Sequence, residues 1–113
     1  MHFELLYVDG CPTWHQALEN LRQAFTLHGL DMEVSLTQVN DNRHAIELRF
    51  PGSPTLRISG NDLFPEHATE YGLSCRMYRT EEGLIGWPTM PMILERLRAL
   101  ARAQAAAPKE TAA

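Results

Sequence analysis

Cys11 stands in the run Asp9-Gly10-Cys11-Pro12-Thr13-Trp14, where an apolar stretch ends and a helical pattern begins. The thiolate, not the thiol, is the nucleophile of disulfide exchange and the ligand of soft metals. Free N–H groups and the positive end of the macrodipole at a helix start favour an anion, so a thiol there should ionise below the usual value of about 8.5. Pro12 carries no N–H, which leaves the amides of Thr13 and Trp14 as the expected donors. His15 lies four residues on, and as an imidazolium on the same helix face it would lower the thiol pKa further. Its ordinary reading is a solvated helix residue.

The second cysteine, Cys75, belongs to residues 73–79, which read as a strand. If that strand simply runs antiparallel to 55–59, Cys75 lies about 15 Å from Cys11, at about 3.3 Å per residue. The α-carbons of a disulfide must approach to ~7 Å. This geometry favours a buried structural cysteine. Residues 60–73 are long enough to alter the register, however. A paired reading therefore stays open, in which Cys75 resolves Cys11 or shares a soft metal ion with it. The five histidines show none of the tight spacings of a zinc motif, and no metal site is expected from them.

Elements to position these groups follow from the hydrophobic pattern. Residues 3–8 are apolar except for Glu4 and read as a central strand covered on both faces. Pro12 suits a first helical turn, and Trp14, Leu18, Leu21 and Phe25 repeat at helical spacing until Gly29 stops the helix. Residues 32–39 alternate apolar and polar as a strand, and Asn40 or Asp41 can cap a short helix carrying Ala45, Ile46 and Leu48. That helix must end before Pro51-Gly52.

Residues 55–59 form a third strand, closed by a turn at Gly60-Asn61-Asp62, and 73–79 a fourth, with a tight turn at Thr80-Glu81-Glu82-Gly83. Pro88 opens a last helix with Ile93, Leu94, Leu97, Leu100 and Ala101 along one stripe, and Pro91 fits its first turn. Met77, Met90 and Met92 are expected to fill core gaps. The order is β-α-β-α-β-β-α: an α/β protein with a four-stranded mixed sheet and helices on both faces. One domain covers 1–103, and 104–113 is expected to be a flexible tail.

Bulk properties narrow the function classes. Hydrophobic residues make up 44% and charged residues 21%, an ordinary globular balance able to bury a core without disulfides. A formal charge of −4 argues against a nucleic-acid binder. No run approaches the roughly 18 apolar residues of a membrane span. Met1-His2-Phe3-Glu4 shows no export signal, so the expected compartment is the reducing cytoplasm.

The element order, the Cys11-Pro12-Thr13-Trp14 junction and Gly52-Ser53-Pro54-Thr55 before the third strand together resemble the thioredoxin-like superfamily in its compact glutaredoxin-like form. The resemblance covers roughly residues 3–103, at the scale of one domain. It implies a cis bond at Pro54 and a Ser53 backbone free to pair with a bound thiol or peptide beside Cys11. Pro12, Thr13, Trp14 and Thr55 would line that site. Trp14 occupies the position of the second cysteine in the family's Cys-x-x-Cys, so the usual resolving thiol is absent.

The expected function is a thiol–disulfide redox protein without a bound cofactor. Cys11 would attack a disulfide or oxidised thiol of a protein or small molecule, and an external thiol such as glutathione, or Cys75, would resolve it. Arg49 and Arg57 could bind a carboxylate such as glutathione's, although solvated surface is their default. Trp14 is expected to be a core residue, with a lid over the thiol as the other reading. Two further functional readings are a non-catalytic module binding a peptide in the Pro54 groove and soft-metal binding by Cys11 and Cys75.

Overall fold

The computed structural model describes residues 2–67 and 70–106. Its first strand, β1 (Phe3–Tyr7), is followed by α1 (Trp14–His28), β2 (Val34–Gln38), α2 (Asn42–Glu47) and β3 (Thr55–Ile58). Then come β4 (Asn61–Asp62), a 3₁₀ turn (Pro65–His67), β5 (Tyr78–Thr80), β6 (Gly83–Ile85) and α3 (Met90–Ala106). A four-stranded sheet runs in the order β2-β1-β3-β4, and β5 pairs with β6 in a separate hairpin. β1 is parallel to β2 and antiparallel to β3, and β3 is antiparallel to β4. The molecule is therefore mixed α/β with a mixed sheet.

The apolar run of β1 explains its central place, because its alternate residues supply two cores. Phe3 and Leu5 face α1 and α3, together with Leu18, Leu21, Phe25, Leu56, Ile93 and Leu97. Leu6 faces the other way, against Val39, Ala45 and Phe50 beside α2. With only six residues, α2 covers part of that second face. The remainder is polar: Glu4 lies opposite Arg57 and accepts a hydrogen bond from the Thr37 hydroxyl at 2.6 Å. Arg57 donates to the carbonyls of Leu48 and Arg49 at the end of α2, so its guanidinium is a helix-end brace rather than a free carboxylate binder.

The local signals of the sequence act as expected at several points. Gly29 ends α1 in the left-handed conformation, and the Leu30 N–H reaches back to Phe25 O at 2.8 Å. The Asp41 carboxylate accepts from the His44 N–H and caps α2. Pro91 lies at the second residue of α3. The last helix runs to Ala106, so 104–106 continue it rather than fray, and 107–113 lie outside the described residues. Ala101 faces outward, and Met77 is 48% exposed, whereas Met90 and Met92 pack against the core.

The fourth strand is not 73–79. Ile58 pairs with Asn61 across a two-residue turn, Ser59-Gly60, in which both residues have positive φ (51° and 84°). That is the primed turn whose twist matches a hairpin, and closing so short a loop costs far less entropy than bringing 73–79 back. The local partner wins. Among 73–79 only the last two residues enter a strand, and they do so in the β5–β6 hairpin, whose turn falls at Thr80–Gly83 as expected.

A Cβ at Gly60 would meet no atom within 4 Å, so the conformation alone demands glycine. Gly60→Ala is expected to lower the urea midpoint by the equivalent of about 1 kcal/mol with the m-value unchanged. An unaltered midpoint would mean that this turn does not hold the fourth strand.

Candidate functional site

Cys11 follows β1, and its N–H donates to Val8 O at 3.1 Å, turning the chain toward α1. Thr13 is the N-cap of α1, yet its side chain makes no capping bond to the helix. Its hydroxyl lies 3.0 Å from Cys11 Sγ instead. No acidic side chain occupies the first turn of α1, so no carboxylate there competes with an anion at the helix start. The thiol is only 8% exposed. Burial pushes its pKa up, but hydrogen bonding from the Ser53 and Thr13 side chains and the Thr13 and Trp14 backbone outweighs that, and the net direction is downward from the ordinary thiol value. The two amides are those expected from the sequence.

The Ser53–Pro54 bond is cis. Ser53 is 1% exposed, and its hydroxyl accepts from the Val8 N–H at 3.1 Å, which ties the turn to the end of β1 and leaves the hydroxyl hydrogen for Cys11. The Ser53 carbonyl lies 4.0 Å from Cys11 Sγ, within reach of the thiol proton. Thr55 is buried, and its hydroxyl donates to Gly52 O at 2.7 Å, bracing the same turn.

One expectation is overturned here: the Ser53 backbone is not open to a ligand. Its N–H donates to Ser74 O at 2.8 Å, and its carbonyl accepts from Arg76 N–H at 2.9 Å. Together these form a parallel bridge between Ser53 and Cys75. The expected distance of about 15 Å between the cysteines at strand spacing therefore fails, because 73–77 crosses beside the Pro54 turn instead of continuing the sheet. Nor is Cys75 a buried structural residue: it is exposed and free, while Cys11 is free and buried. A peptide pairing with Ser53 would have to displace this strap. That removes the binding edge on which the non-catalytic groove reading relied.

The strap is held by side chains that cannot easily let go. Arg76, 2% exposed, donates to the Thr55 hydroxyl at 3.1 Å and to Phe64 O at 2.6 Å. It also forms an ion pair with Asp62 at 3.0 Å. Its Nε has no hydrogen-bond partner among the described residues, and its guanidinium carbon lies 4.7 Å from the Tyr78 ring centre. Tyr78 is fully buried and donates its hydroxyl to Pro54 O at 2.6 Å. Burial drives the Tyr78 pKa strongly upward; Arg76 opposes this and Asp62 adds to it. Gly52 permits the close approach: a Cβ there would lie 3.0 Å from Arg76 Cβ and 3.1 Å from Ser74 O.

Around the thiol, Trp14 is half-buried against the main core and stacks on Tyr7, with ring centres 4.4 Å apart. His15 also stacks on Trp14, with ring centres 3.6 Å apart. Pro12 is exposed beside them. Gly86, in the loop before α3, is packed so closely that a Cβ would come within 2.9 Å of Thr13 Cγ2. Among the described residues no cluster of three or more His, Cys, Asp or Glu converges as a metal site. No helix there is long and apolar enough to cross a membrane. A groove of about 610 Å³ lies between Ile58, Leu63 and Leu100, and Cys11 does not line it.

What the sequence reading missed is the anchor, Arg76 with Asp62 and Tyr78. An arginine two residues before a tyrosine in a strand-like run gives no sign of burial. Two measurements check this geometry. Asp62→Ala leaves the buried guanidinium without its counter-charge and is expected to cost about 3 kcal/mol in urea unfolding. A depressed thiol pKa means that the unfolded chain binds more protons between the folded value and 9.0. Stability should therefore rise with pH across that window in the native protein but not in Cys11→Ala, and parallel curves would contradict the bonding around Cys11.

No family model, curated protein or solved structure matches the chain.

Proposed function

We propose that the protein is a thiol–disulfide redox protein of thioredoxin-like, glutaredoxin-like type in which Cys11 is the nucleophile. The observation that carries this reading is a nearly buried thiol whose ionised form is favoured by the Thr13 and Ser53 hydroxyls and the start of α1. A buried cysteine with no such donors would be inert. Donors around one sulfur favour the thiolate over the thiol and so support a nucleophilic role.

In the reaction, the Cys11 thiolate attacks one sulfur of a disulfide RS–SR. A Cys11–SR bond forms, the S–S bond breaks, and RS⁻ leaves and takes a proton from solvent. The donors that stabilise the Cys11 thiolate also make it a good leaving group, so the mixed disulfide is readily returned to the thiolate by a second thiol such as glutathione. The Pro54 turn positions Ser53, and Trp14, three residues after the thiol, stacks with Tyr7 and His15. The substrate class is a disulfide able to approach the sulfur without pairing to the Ser53 backbone, which the strap already occupies.

The test is the rate of reaction of each cysteine with iodoacetamide and with a small disulfide across pH, read site by site by mass spectrometry. Cys11 is expected to react with a midpoint below the ordinary thiol value of about 8.5, and Cys11→Ser to abolish the disulfide reaction. Thr13→Val and Ser53→Ala should each slow Cys11 about tenfold near neutral pH, as the loss of a hydrogen bond to a charged group implies, and recover at high pH. A Cys11 that stays unreactive toward disulfides at every pH would overturn the proposal.

A further inference from the structure

We infer that Cys75 is the resolving thiol of this site, so that the chain completes its own two-cysteine redox cycle although its Cys11-Pro12-Thr13-Trp14 run holds one cysteine. The inference rests on the nucleophilic role proposed for Cys11. It is carried by a juxtaposition that the sequence order conceals, with both cysteines bordering the same residue. The Ser53 carbonyl is 4.0 Å from Cys11 Sγ and accepts the Arg76 N–H at 2.9 Å, directly after Cys75. Standard backbone lengths then place the Cys75 α-carbon less than about 10 Å from the Cys11 sulfur.

Direction and access agree with this placement. Residues paired across a bridge turn their side chains to the same face, so Cys75 projects on the same face as the Ser53 side chain, whose hydroxyl is bonded to the Val8 N–H three residues before Cys11. Cys75 is exposed while Cys11 is buried, which suits a thiol that must move to meet a sulfur held in place. The residues on either side are pinned: Ser74 and Arg76 bond the Ser53 backbone, and the Arg76 side chain bonds Thr55, Asp62 and Phe64. The strap therefore keeps Cys75 beside the site in every molecule. A thiol confined in this way competes with dissolved thiols through effective concentration alone.

The step balances without any bound group. After Cys11 has formed the mixed disulfide Cys11–SR, the Cys75 thiolate attacks Cys11 Sγ. The Cys11–Cys75 bond forms, the Sγ–SR bond breaks, and the second RS⁻ departs and is protonated from solvent. Two cysteine thiols have been oxidised and one disulfide reduced to two thiols. Return to the dithiol requires a low-molecular-weight thiol as reductant, two equivalents per cycle.

The experiment uses the full chain, reduced and then mixed with one equivalent of hydroxyethyl disulfide, quenched in acid at intervals and weighed intact. The wild type is expected to pass through an adduct carrying one half of the reagent and to end two hydrogens lighter than the reduced protein, with Cys11 and Cys75 joined in one proteolytic fragment pair. Cys75→Ser should stop at the adduct. The decay of the wild-type adduct should keep the same rate when the protein is diluted tenfold, as an intramolecular step must.

A wild type that halts at the same adduct as Cys75→Ser would overturn the role of Cys75 and leave Cys11 as the nucleophile. A decay that slows on dilution would do the same. If no adduct forms at Cys11 at all, both this inference and the function on which it rests fall together.

Discussion

Ser53 is the residue on which the arrangement turns. Every hydrogen-bonding group it owns is engaged: the N–H with Ser74, the carbonyl with Arg76, and the hydroxyl with the Val8 N–H, while the Cys11 sulfur lies 4.0 Å from the carbonyl. A buried serine must satisfy these groups or lose stability, because unpaired polar atoms inside a protein cost more than paired ones gain. Meeting that constraint ties together the end of β1, the start of β3 and the 73–77 strap. The thiol lies where the three meet. Its ionisation and its neighbours are thus consequences of how one residue is satisfied.

The second layer of the design is the Arg76–Asp62–Tyr78 cluster. Burying a guanidinium is costly, and the cluster offsets that cost with an ion pair, two hydrogen bonds and a ring face. It joins β4 to the strap across a stretch of chain with little regular structure. Tyr78, bonded to Pro54 O, belongs at once to the core under α1 and α3 and to the turn. Packing and chemistry are coupled at that point, since whatever loosens the core around Tyr78 also loosens the seat of Cys11.

Much of this was legible in the sequence wherever the cause is local. The apolar run of β1, the Gly29 stop, the Asp41 cap and the Cys11-Pro12 junction each depend on a few neighbouring residues, and each acts as its chemistry implies. The fourth strand was misplaced because Ser59-Gly60 closes a hairpin at once, and the adjacent polar pair Asn61-Asp62 gives no strand signal. The strap was illegible for a different reason. Gly52 has a φ of 128°, which favours glycine, and it makes room for Ser74 and Arg76, which lie more than twenty positions away; no periodicity reports such a contact. The place of Cys75 is hidden for the same reason, since the sequence leaves both a remote and a paired position open and the choice depends on a register that the strap does not follow.

The central claim is that Cys11 sits in a site built to hold a thiolate. The most direct measurement is a pH titration of the Cys11 β-carbon by NMR in the reduced protein, which reports ionisation at that one sulfur. A midpoint below the ordinary thiol value of about 8.5 that moves upward in Ser53→Ala is the expected result. A midpoint at or above about 8.5, unmoved by that substitution, would mean that burial outweighs the donors and that the site was not built for this chemistry.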